Sequence, residues 1–339
     1  MLRIVSRGCE AQLPSPMKTR TFGRLGWPVS VLGHGMWGLA GWSGTDEREV
    51  TNALHASVEA GVNFFDTAWG YGRGKSERIL GNLVREYPER RLYVASKIPP
   101  KNLQWPSRPE YTLDDCFPPD HIREYTEKSL ENLGVSCLDL MQFHVWEDGW
   151  ARDERWQRAM DDLKREGLVT AVGVSVNRWE PTNCVETLRT GMVDAVQVIY
   201  NVFDQAPEDE LFPLCEQLGV ALIARVPFDE GSLAGQVHAD STFPEGDFRR
   251  VYFGPENLAP TLARVDALRA VLPPAMTLPE MALRFAISHP AVSTVIPGMR
   301  RPAHVRANAE AVARGGLSAE LRELLRAHRW DRVPAAWSL

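Results

Sequence analysis

The feature that most constrains the fold of this chain is a repeated order of helix, glycine and buried strand. Eight short runs rich in Val, Ile and Leu recur along the sequence, at residues 31–32, 62–65, 92–95, 138–143, 171–174, 195–199, 220–224 and 292–296. Their apolar residues are continuous rather than alternating, which is typical of parallel strands buried on both faces. Eight such units favour a closed α/β barrel, although the pattern alone also allows an open doubly wound sheet.

Helix-like stretches separate these strands, and a glycine follows each of them. The predicted helices are residues 46–60, 119–133, 152–166, 181–189 and 207–218. Thr45 is a candidate N-cap for the first. Two segments depart from the repeat: residues 21–29 could form a hairpin before the first strand, and residues 228–256 form a long loop rich in Gly, Pro and Asp. In a barrel, long loops that follow strands build the functional site.

Composition excludes several classes of protein. The formal net charge is −6 with acids and bases interspersed, which argues against a nucleic-acid partner. The five cysteines are scattered without a CxxC pair, which disfavours zinc sites and disulfides and indicates a reducing, cytoplasmic setting. No run of about 18 apolar residues predicts a membrane span. We expect one barrel domain over residues 19–339 after a loose extension at residues 1–18, and a homo-oligomer is compatible with the sequence.

One glycine motif suggests a dinucleotide-binding fold of a different kind. Residues 33–38, from Gly33 to Gly38, match GxGxxG and follow an apolar strand. The dinucleotide fingerprint requires a helix to open on those glycines, whereas here the chain continues as a loop to about Asp46. We therefore disfavour an open-sheet dehydrogenase.

Four polar residues follow three consecutive predicted strands. Asp66 ends one strand and Tyr71 comes five positions later, while Lys97 and His144 end the next two strands. Each alone could be structural, as a helix cap, a packed ring or a solvated side chain. Together at one end of a barrel they form a coherent acid–base set, because Lys⁺ lowers the pKa of a tyrosine and Asp66 can hold that lysine. His144 could position a substrate oxygen. The set has no obvious nucleophile, which suits hydride transfer by a cofactor.

These residues resemble a known signature. The run from Asp66 to Gly72, with Ser76 and Glu77, is similar to the aldo-keto reductase motif, and Lys97 and His144 fall at that family's remaining catalytic positions. The resemblance spans roughly residues 20–308. It implies a (β/α)8 TIM barrel with an N-terminal β-hairpin cap and an extra C-terminal helix, an extended NADP(H), and Asp66, Tyr71, Lys97 and His144 as catalytic residues.

The resemblance also implies positions for the cofactor. The predicted cofactor-binding residues are Gly35, Met36, Trp37, Asp66, Ser175, Asn177, Gln197, Arg225, Pro227, Gly231, Leu233, Gly298, Arg300, His304 and Asn308. In this chain Val176 lies between Ser175 and Asn177, whereas the corresponding serine and asparagine are adjacent in the family's pattern. Arg225 replaces the aromatic residue that usually stacks under the nicotinamide, and a guanidinium plane can also stack. Arg300 lies between a strand and a helix beginning near Pro302, where an anion such as the NADP phosphate would bind.

Tryptophans in the loops after strands are candidates for a substrate pocket. Trp37, Trp69 and Trp146 are the predicted pocket residues, for a small carbonyl or alcohol substrate, although packing at the barrel mouth would explain such residues equally well.

Two other functions stay open. One is a non-catalytic nucleotide-binding subunit or redox sensor. The other, a metal-dependent hydrolase using Asp66 and His144, lacks further ligands at strand ends, so we expect no metal.

Overall fold

The structure, a computed structural model, describes residues 17–39 and 46–335. Predictions that fall on Thr45 and on almost all of the extension 1–18 lie outside the described residues. The described residues contain ten strands, which are β1 (Thr19–Phe22), β2 (Trp27–Ser30), β3 (His34–Gly35), β4 (Phe64–Asp66), β5 (Tyr93–Ile98), β6 (Leu138–Phe143), β7 (Val169–Ser175), β8 (Ala195–Ile199), β9 (Ala221–Arg225) and β10 (Val292–Val295).

Strands β3 to β10 form one parallel sheet in sequence order. Single parallel bridges from Leu32 to Val295 and from Gly35 to Gly298 join its first and last strands. The predicted (β/α)8 barrel is confirmed. The first barrel strand does not lie at its predicted position, residues 31–32. Leu32 makes only a single bridge, and the residues that pair with β4 are His34 and Gly35.

Helices surround this barrel. They are α1 (Glu47–Glu59), α2 (Lys75–Glu86), α3 (Leu113–Cys116), α4 (Pro119–Leu133), α5 (Glu154–Arg165), α6 (Val185–Arg189), α7 (Leu211–Leu218), α8 (Arg249–Tyr252), α9 (Leu258–Val271), α10 (Leu278–Ser288), α11 (Pro302–Ala313) and α12 (Ala319–Arg326). Asp46 caps α1 by accepting a hydrogen bond from the Arg48 amide. The predicted helices over residues 181–189 and 207–218 are shorter than expected, and the first turn near Pro207 is a separate 3₁₀ segment.

The antiparallel hairpin of β1 and β2 covers the amino-terminal end of the barrel. Phe22 is fully buried against Trp27 and Phe64, and it lies in one apolar cluster with Ala95 and Ala221 inside the barrel. Small alanines in the strands leave room for this ring. Because the hairpin closes this end, a site in the barrel can open only at the carboxyl ends of the strands.

Candidate active site

A cavity of about 320 Å³ lies at the carboxyl ends of the barrel strands. Its polar wall includes Tyr71, His144, Ser175, Asn177 and Gln197, all of which were predicted site residues. The carboxyl ends of parallel strands meet at this face of a barrel, so side chains from distant parts of the chain converge there.

Asp66, Lys97 and Tyr71 form a connected group at the base of the cavity. Lys97 Nζ donates to Asp66 Oδ1 at 2.5 Å, to the Thr67 carbonyl at 2.8 Å and to the Tyr71 hydroxyl at 3.3 Å. Lys97 and Asp66 are almost fully buried. Tyr71 comes from the loop that precedes α2, and its ring lies 5.0 Å from the lysine nitrogen.

Two glutamine amides hold the second carboxylate oxygen of Asp66. The Nε2 atoms of Gln142 and Gln197 donate to Asp66 Oδ2 at 3.0 and 2.9 Å. The Gln197 Nε2 also donates to Gln142 Oε1 at 3.2 Å. Gln142 was not singled out from the sequence, since its position within β6 looks like an ordinary barrel residue. The contacts fix the carboxylate so that its other oxygen faces Lys97.

The electrostatics of this group favour a charged lysine beside a neutral phenol. Burial raises the pKa of Tyr71, and the Lys97 charge opposes that rise only in part. Burial acts to lower the pKa of Lys97, but Asp66 and Tyr71 outweigh it, so that the lysine pKa lies above its ordinary value. Tyr71 is therefore protonated at neutral pH and has an adjacent cation that stabilises phenolate when the proton leaves.

His144 lies beside Tyr71, with ring centroids 5.5 Å apart in an edge-on arrangement. Burial, assisted by the Lys97 and Arg225 charges, lowers the pKa of His144 well below its usual value. The imidazole is therefore neutral at physiological pH. Its Nδ1 is buried and has no hydrogen-bond partner in the described part of the chain.

Two arginines contribute to the cavity wall. Arg225, at the end of β9, donates from Nη2 to the Val176 carbonyl at 3.0 Å, while its Nε is buried without a partner among the described residues. Burial and the neighbouring Arg178 lower the pKa of Arg225 to about 10, so it stays charged at neutral pH. Arg178 also lines the cavity, but its charge is balanced by a buried ion pair of 2.6 Å with Glu230.

Three predicted residues lie at the end of β3 and directly after it, and one of them, Trp37, lines the cavity. A Cβ on Gly35 would lie 2.5 Å from the Ile296 carbonyl oxygen, so only glycine fits this approach to the last strand. Met36 is fully buried, and its amide donates to the Asp66 carbonyl at 2.9 Å. Trp37 lines the cavity and meets Phe248 edge-on at a centroid distance of 6.0 Å.

Asn177 lines the cavity but its amide is occupied within the protein. Its Nδ2 donates to Glu147 at 3.0 Å and to Glu180 at 2.9 Å, and Ser107 donates to its Oδ1 at 3.2 Å. These contacts fix the loop after β7. Ser175, which ends that strand, is buried in the cavity wall.

The loop after β9 carries predicted residues Pro227, Gly231 and Leu233 and has unusual backbone geometry. Val226, Asp229 and Glu230 have positive φ values of 55°, 43° and 56°. This conformation is disfavoured for residues other than glycine and needs support from the surroundings.

A buried ion-pair network supplies that support. Arg332, which is almost fully buried, binds Asp229 at 2.9 Å, pairs closely with Asp204 and donates to the Tyr252 hydroxyl at 2.7 Å. Asp229 also accepts from Ser232 at 2.7 Å and from Tyr252 at 2.7 Å. Arg332 and Asp204 are not predictable from the sequence, because no local motif links residues 128 positions apart.

A cluster of arginines stands beside the start of α11. Gly298, Arg300 and His304 lie there, and the buried Asn308 follows in the helix. Burial together with the Arg249 and Arg301 charges lowers the pKa of Arg300. Like charges held close at a helix N-terminus fit a phosphate, which would relieve their repulsion. Phe248, next to Arg249, lines the main cavity, so an extended phosphorylated ligand could contact both places.

Two of the three predicted pocket tryptophans do not line the cavity. Trp146 is fully buried, packs on Phe143 and Trp156, and donates from Nε1 to Thr187 at 2.8 Å. Trp69 packs edge-on against Tyr125 at 4.7 Å. Both predictions are corrected, because a position in a loop does not fix the direction in which a side chain points. Trp105 lines the cavity instead.

Two further features of the described residues concern other functions. No group of three or more His, Cys, Asp or Glu among them is arranged to hold a metal ion. In residues 17–39 and 46–335, no helix combines the length and apolar character required to cross a membrane.

The fold is a parallel (β/α)8 barrel with a buried Tyr–Lys–Asp group at its carboxyl face. A model of the Aldo/keto reductase family matches residues 31–329, and this chain belongs to that family. Its members are generally oxidoreductases that use nicotinamide cofactors and act on small carbonyl compounds.

Individual relatives are similar over nearly their whole length. A protein named NADH-specific methylglyoxal reductase from Escherichia coli is 26% identical, covering 87% of this chain and 94% of its own. The holo form of an aldo-keto reductase from Bacillus halodurans matches with a TM-score of 0.73 at 26% identity, covering 95% of this chain and 100% of its own. A probable voltage-gated potassium channel subunit beta from Arabidopsis thaliana is 29% identical, covering 87% of this chain and 91% of its own.

Proposed function

We propose that this protein interconverts a small aldehyde or ketone and its alcohol with NADP(H), and that Tyr71 is the general acid and base. The observation that carries the proposal is the buried contact of Lys97 with both Asp66 and the Tyr71 hydroxyl, at the base of a cavity that His144 also lines. A bound nicotinamide supplies or accepts the hydride.

The protein's own residues then manage the proton. In reduction, the carbonyl oxygen lies between the Tyr71 hydroxyl and His144, whose neutral imidazole can donate one hydrogen bond. Tyr71 gives its proton to that oxygen as negative charge develops, and Lys97 stabilises the phenolate that remains. Asp66 keeps Lys97 charged and oriented. In oxidation of an alcohol the same groups act in reverse.

Other residues would hold the cofactor. Ser175 and Gln197, in the cavity wall, would contact the nicotinamide amide, and Arg225 would lie under the ring. The loop containing Gly231 and Leu233 would follow the diphosphate.

The preference for NADP(H) over NAD(H) rests on the arginines near α11. Burial together with the Arg249 and Arg301 charges lowers the pKa of Arg300, and this concentration of positive charge supports a site suited to an additional phosphate. Relatives include both kinds of enzyme: one is named NADH-specific, and one from Schizosaccharomyces pombe carries NADP(+) in its name at 26% identity.

The test is NADPH consumption with a panel of aldehydes and ketones, comparing wild type with Tyr71→Phe. Phenylalanine keeps the ring and removes only the acid. We expect a loss of at least about 100-fold in kcat/KM, the scale of a general acid. A matched control is Tyr111→Phe, which removes a hydroxyl outside the cavity.

A second function is favoured by one specific comparison. Two plant relatives are named as probable potassium channel subunits, at 29% identity. If wild type binds NADPH tightly and reduces no carbonyl in the panel, a nucleotide-binding subunit becomes the better explanation. If it does not bind NADPH, both proposals fail.

A further inference from the structure

The charges around the cavity do not cancel. Lys97 and Asp66 form one buried ion pair, at 2.5 Å, and Arg178 and Glu230 form another, at 2.6 Å. Each pair is close to neutral when seen from the cavity. Of the charged side chains that line the cavity, Arg178 is thus paired, whereas Arg225 forms no ion pair with any described residue, so one positive charge is left in the cavity lining.

Neither titratable neighbour compensates for this charge. Burial raises the pKa of Tyr71 and lowers that of His144, so both groups are neutral at physiological pH. Arg225 lines the same cavity as Tyr71 and His144, so its guanidinium faces the space in which these two groups would act. Its Nη2 is held by the Val176 carbonyl, while the buried Nε lacks a partner among the described residues.

We infer that Arg225 makes the protein discriminate between the two oxidation states of its nicotinamide cofactor, binding the reduced form more tightly than the oxidised form. This inference rests on the function proposed above. The nicotinamide ring is neutral when reduced and carries one positive charge when oxidised. A fixed cation in a partly dehydrated wall repels the oxidised ring, and the repulsion is stronger there than in water.

The ratio of two dissociation constants isolates this effect. NADPH and NADP⁺ carry the same phosphates and the same adenosine, so contacts with Arg300, Arg249 and the β9 loop contribute equally to both. The two forms differ only in the nicotinamide ring, which is an aromatic cation in NADP⁺ and a neutral dihydropyridine in NADPH, and Arg225 is the unpaired charge in the cavity lining. Comparing Arg225→Gln with Arg225→Lys separates the effect of charge from that of ring shape. The same repulsion favours release of the oxidised cofactor after a carbonyl has been reduced.

The experiment measures equilibrium dissociation constants for NADPH and NADP⁺ by calorimetry or by quenching of tryptophan fluorescence, without substrate. The variants are Arg225→Gln, which removes the charge, and Arg225→Lys, which keeps it. Arg300→Gln is the matched control, because it removes an arginine charge away from the ring. Circular dichroism and thermal unfolding establish that each variant is folded.

We expect wild type to bind NADP⁺ at least about tenfold more weakly than NADPH. Arg225→Gln should bind NADP⁺ more tightly than wild type does and bring the ratio close to one, whereas Arg225→Lys keeps the preference. Damage to the fold weakens binding and cannot produce tighter binding of one form. Arg300→Gln should weaken both forms and leave the ratio unchanged.

Equal affinities in wild type would overturn the inference even if no variant folded. So would an unchanged ratio in folded Arg225→Gln. In both cases NADP(H) still binds, and the proposed function stands. Failure of wild type to bind either form would instead remove the proposed function, and the inference with it.

Discussion

The Nζ atom of Lys97 lies 2.5 Å from Oδ1 of Asp66, and both side chains are almost completely excluded from solvent. The same nitrogen is 3.3 Å from the Tyr71 hydroxyl. One cation thus joins the buried carboxylate to the proposed acid, and the charge balance at Tyr71 depends on it.

Replacement of Lys97 by methionine should therefore impair catalysis severely. Loss of the cation leaves Asp66 as the nearest charge, which raises the pKa of Tyr71 beyond the rise that burial already causes. We expect kcat/KM for carbonyl reduction to fall by at least about 100-fold, measured by NADPH absorbance. Lys101→Met, at an exposed position, is the control. Retention of most activity in folded Lys97→Met would contradict this role.

Acid should destabilise the fold through His34. This histidine is fully buried, burial lowers its pKa to about 3, and its Nδ1 lies 2.8 Å from Ser57 Oγ. Below about pH 6.5 the unfolded chain takes up a proton that the folded chain does not, so His34 lowers the free energy of unfolding by about 1.4 kcal/mol per pH unit.

Urea unfolding at several pH values between 7 and 4 measures this loss. The slope of the free energy of unfolding against pH should be smaller in His34→Gln, by about the contribution of one proton, whatever the stability of that variant at neutral pH. His238→Gln, at an exposed position, should keep the wild-type slope. Parallel curves for wild type and His34→Gln would show that His34 is not a source of the acid sensitivity.

Breaking the buried network at Arg332 should destabilise the protein strongly. Arg332→Met leaves Asp204 and Asp229 buried without their cation, which costs roughly 3–5 kcal/mol. Arg329→Met is the matched control three residues away. It removes the surface ion pair with Asp209, which is worth no more than about 1 kcal/mol. Similar denaturation midpoints for the two variants would show that the buried network at Arg332 stabilises the protein no more than the surface ion pair of Arg329 does.

Substitution of Trp146 should lower stability without changing KM, whereas substitution of Trp105 should raise KM with little loss of stability. Trp146→Phe loses the hydrogen bond to Thr187 inside the core, so stability should fall by about 1–3 kcal/mol while KM for the carbonyl stays unchanged. Trp105→Ala removes part of the cavity wall and should raise KM several-fold with little loss of stability. A raised KM in folded Trp146→Phe would return that residue to the pocket.

Arg300 should determine the choice between the two nicotinamide cofactors. Arg300→Gln removes a cation from the cluster at α11, so the ratio of kcat/KM for NADPH to that for NADH should fall at least about tenfold, the effect of one lost charge-assisted contact with phosphate. The loss should appear with NADPH alone. An equal loss with both cofactors would place Arg300 away from the additional phosphate.

Much of the barrel could be predicted from the sequence because buried parallel strands need continuous apolar residues and the helices between them end at glycines. The exceptions have local causes. The strand at His34–Gly35 is too short to leave an apolar run. Helix α2 was missed since its N-cap is Gly74, in a left-handed conformation, and no side chain caps it.

The site was predictable where position along a strand determines where a residue lies. Asp66, Lys97 and His144 lie at the carboxyl ends of three neighbouring strands, and the topology of a barrel brings them to one face. The direction of a side chain within a loop has no such signal, which is why Trp146 was wrongly assigned to the pocket. Contacts such as that of Arg332 with Asp204 depend on the completed tertiary structure.

The place of Arg332 along the chain has a consequence for biosynthesis. Asp204 and Asp229 follow β8 and β9, whereas their cation comes after β10 and after the last helix, α12. A ribosome therefore delivers both carboxylates well before the charge that lets them be buried together. The loop after β9, with its strained backbone, therefore gains the cation that stabilises it only once this late segment has emerged.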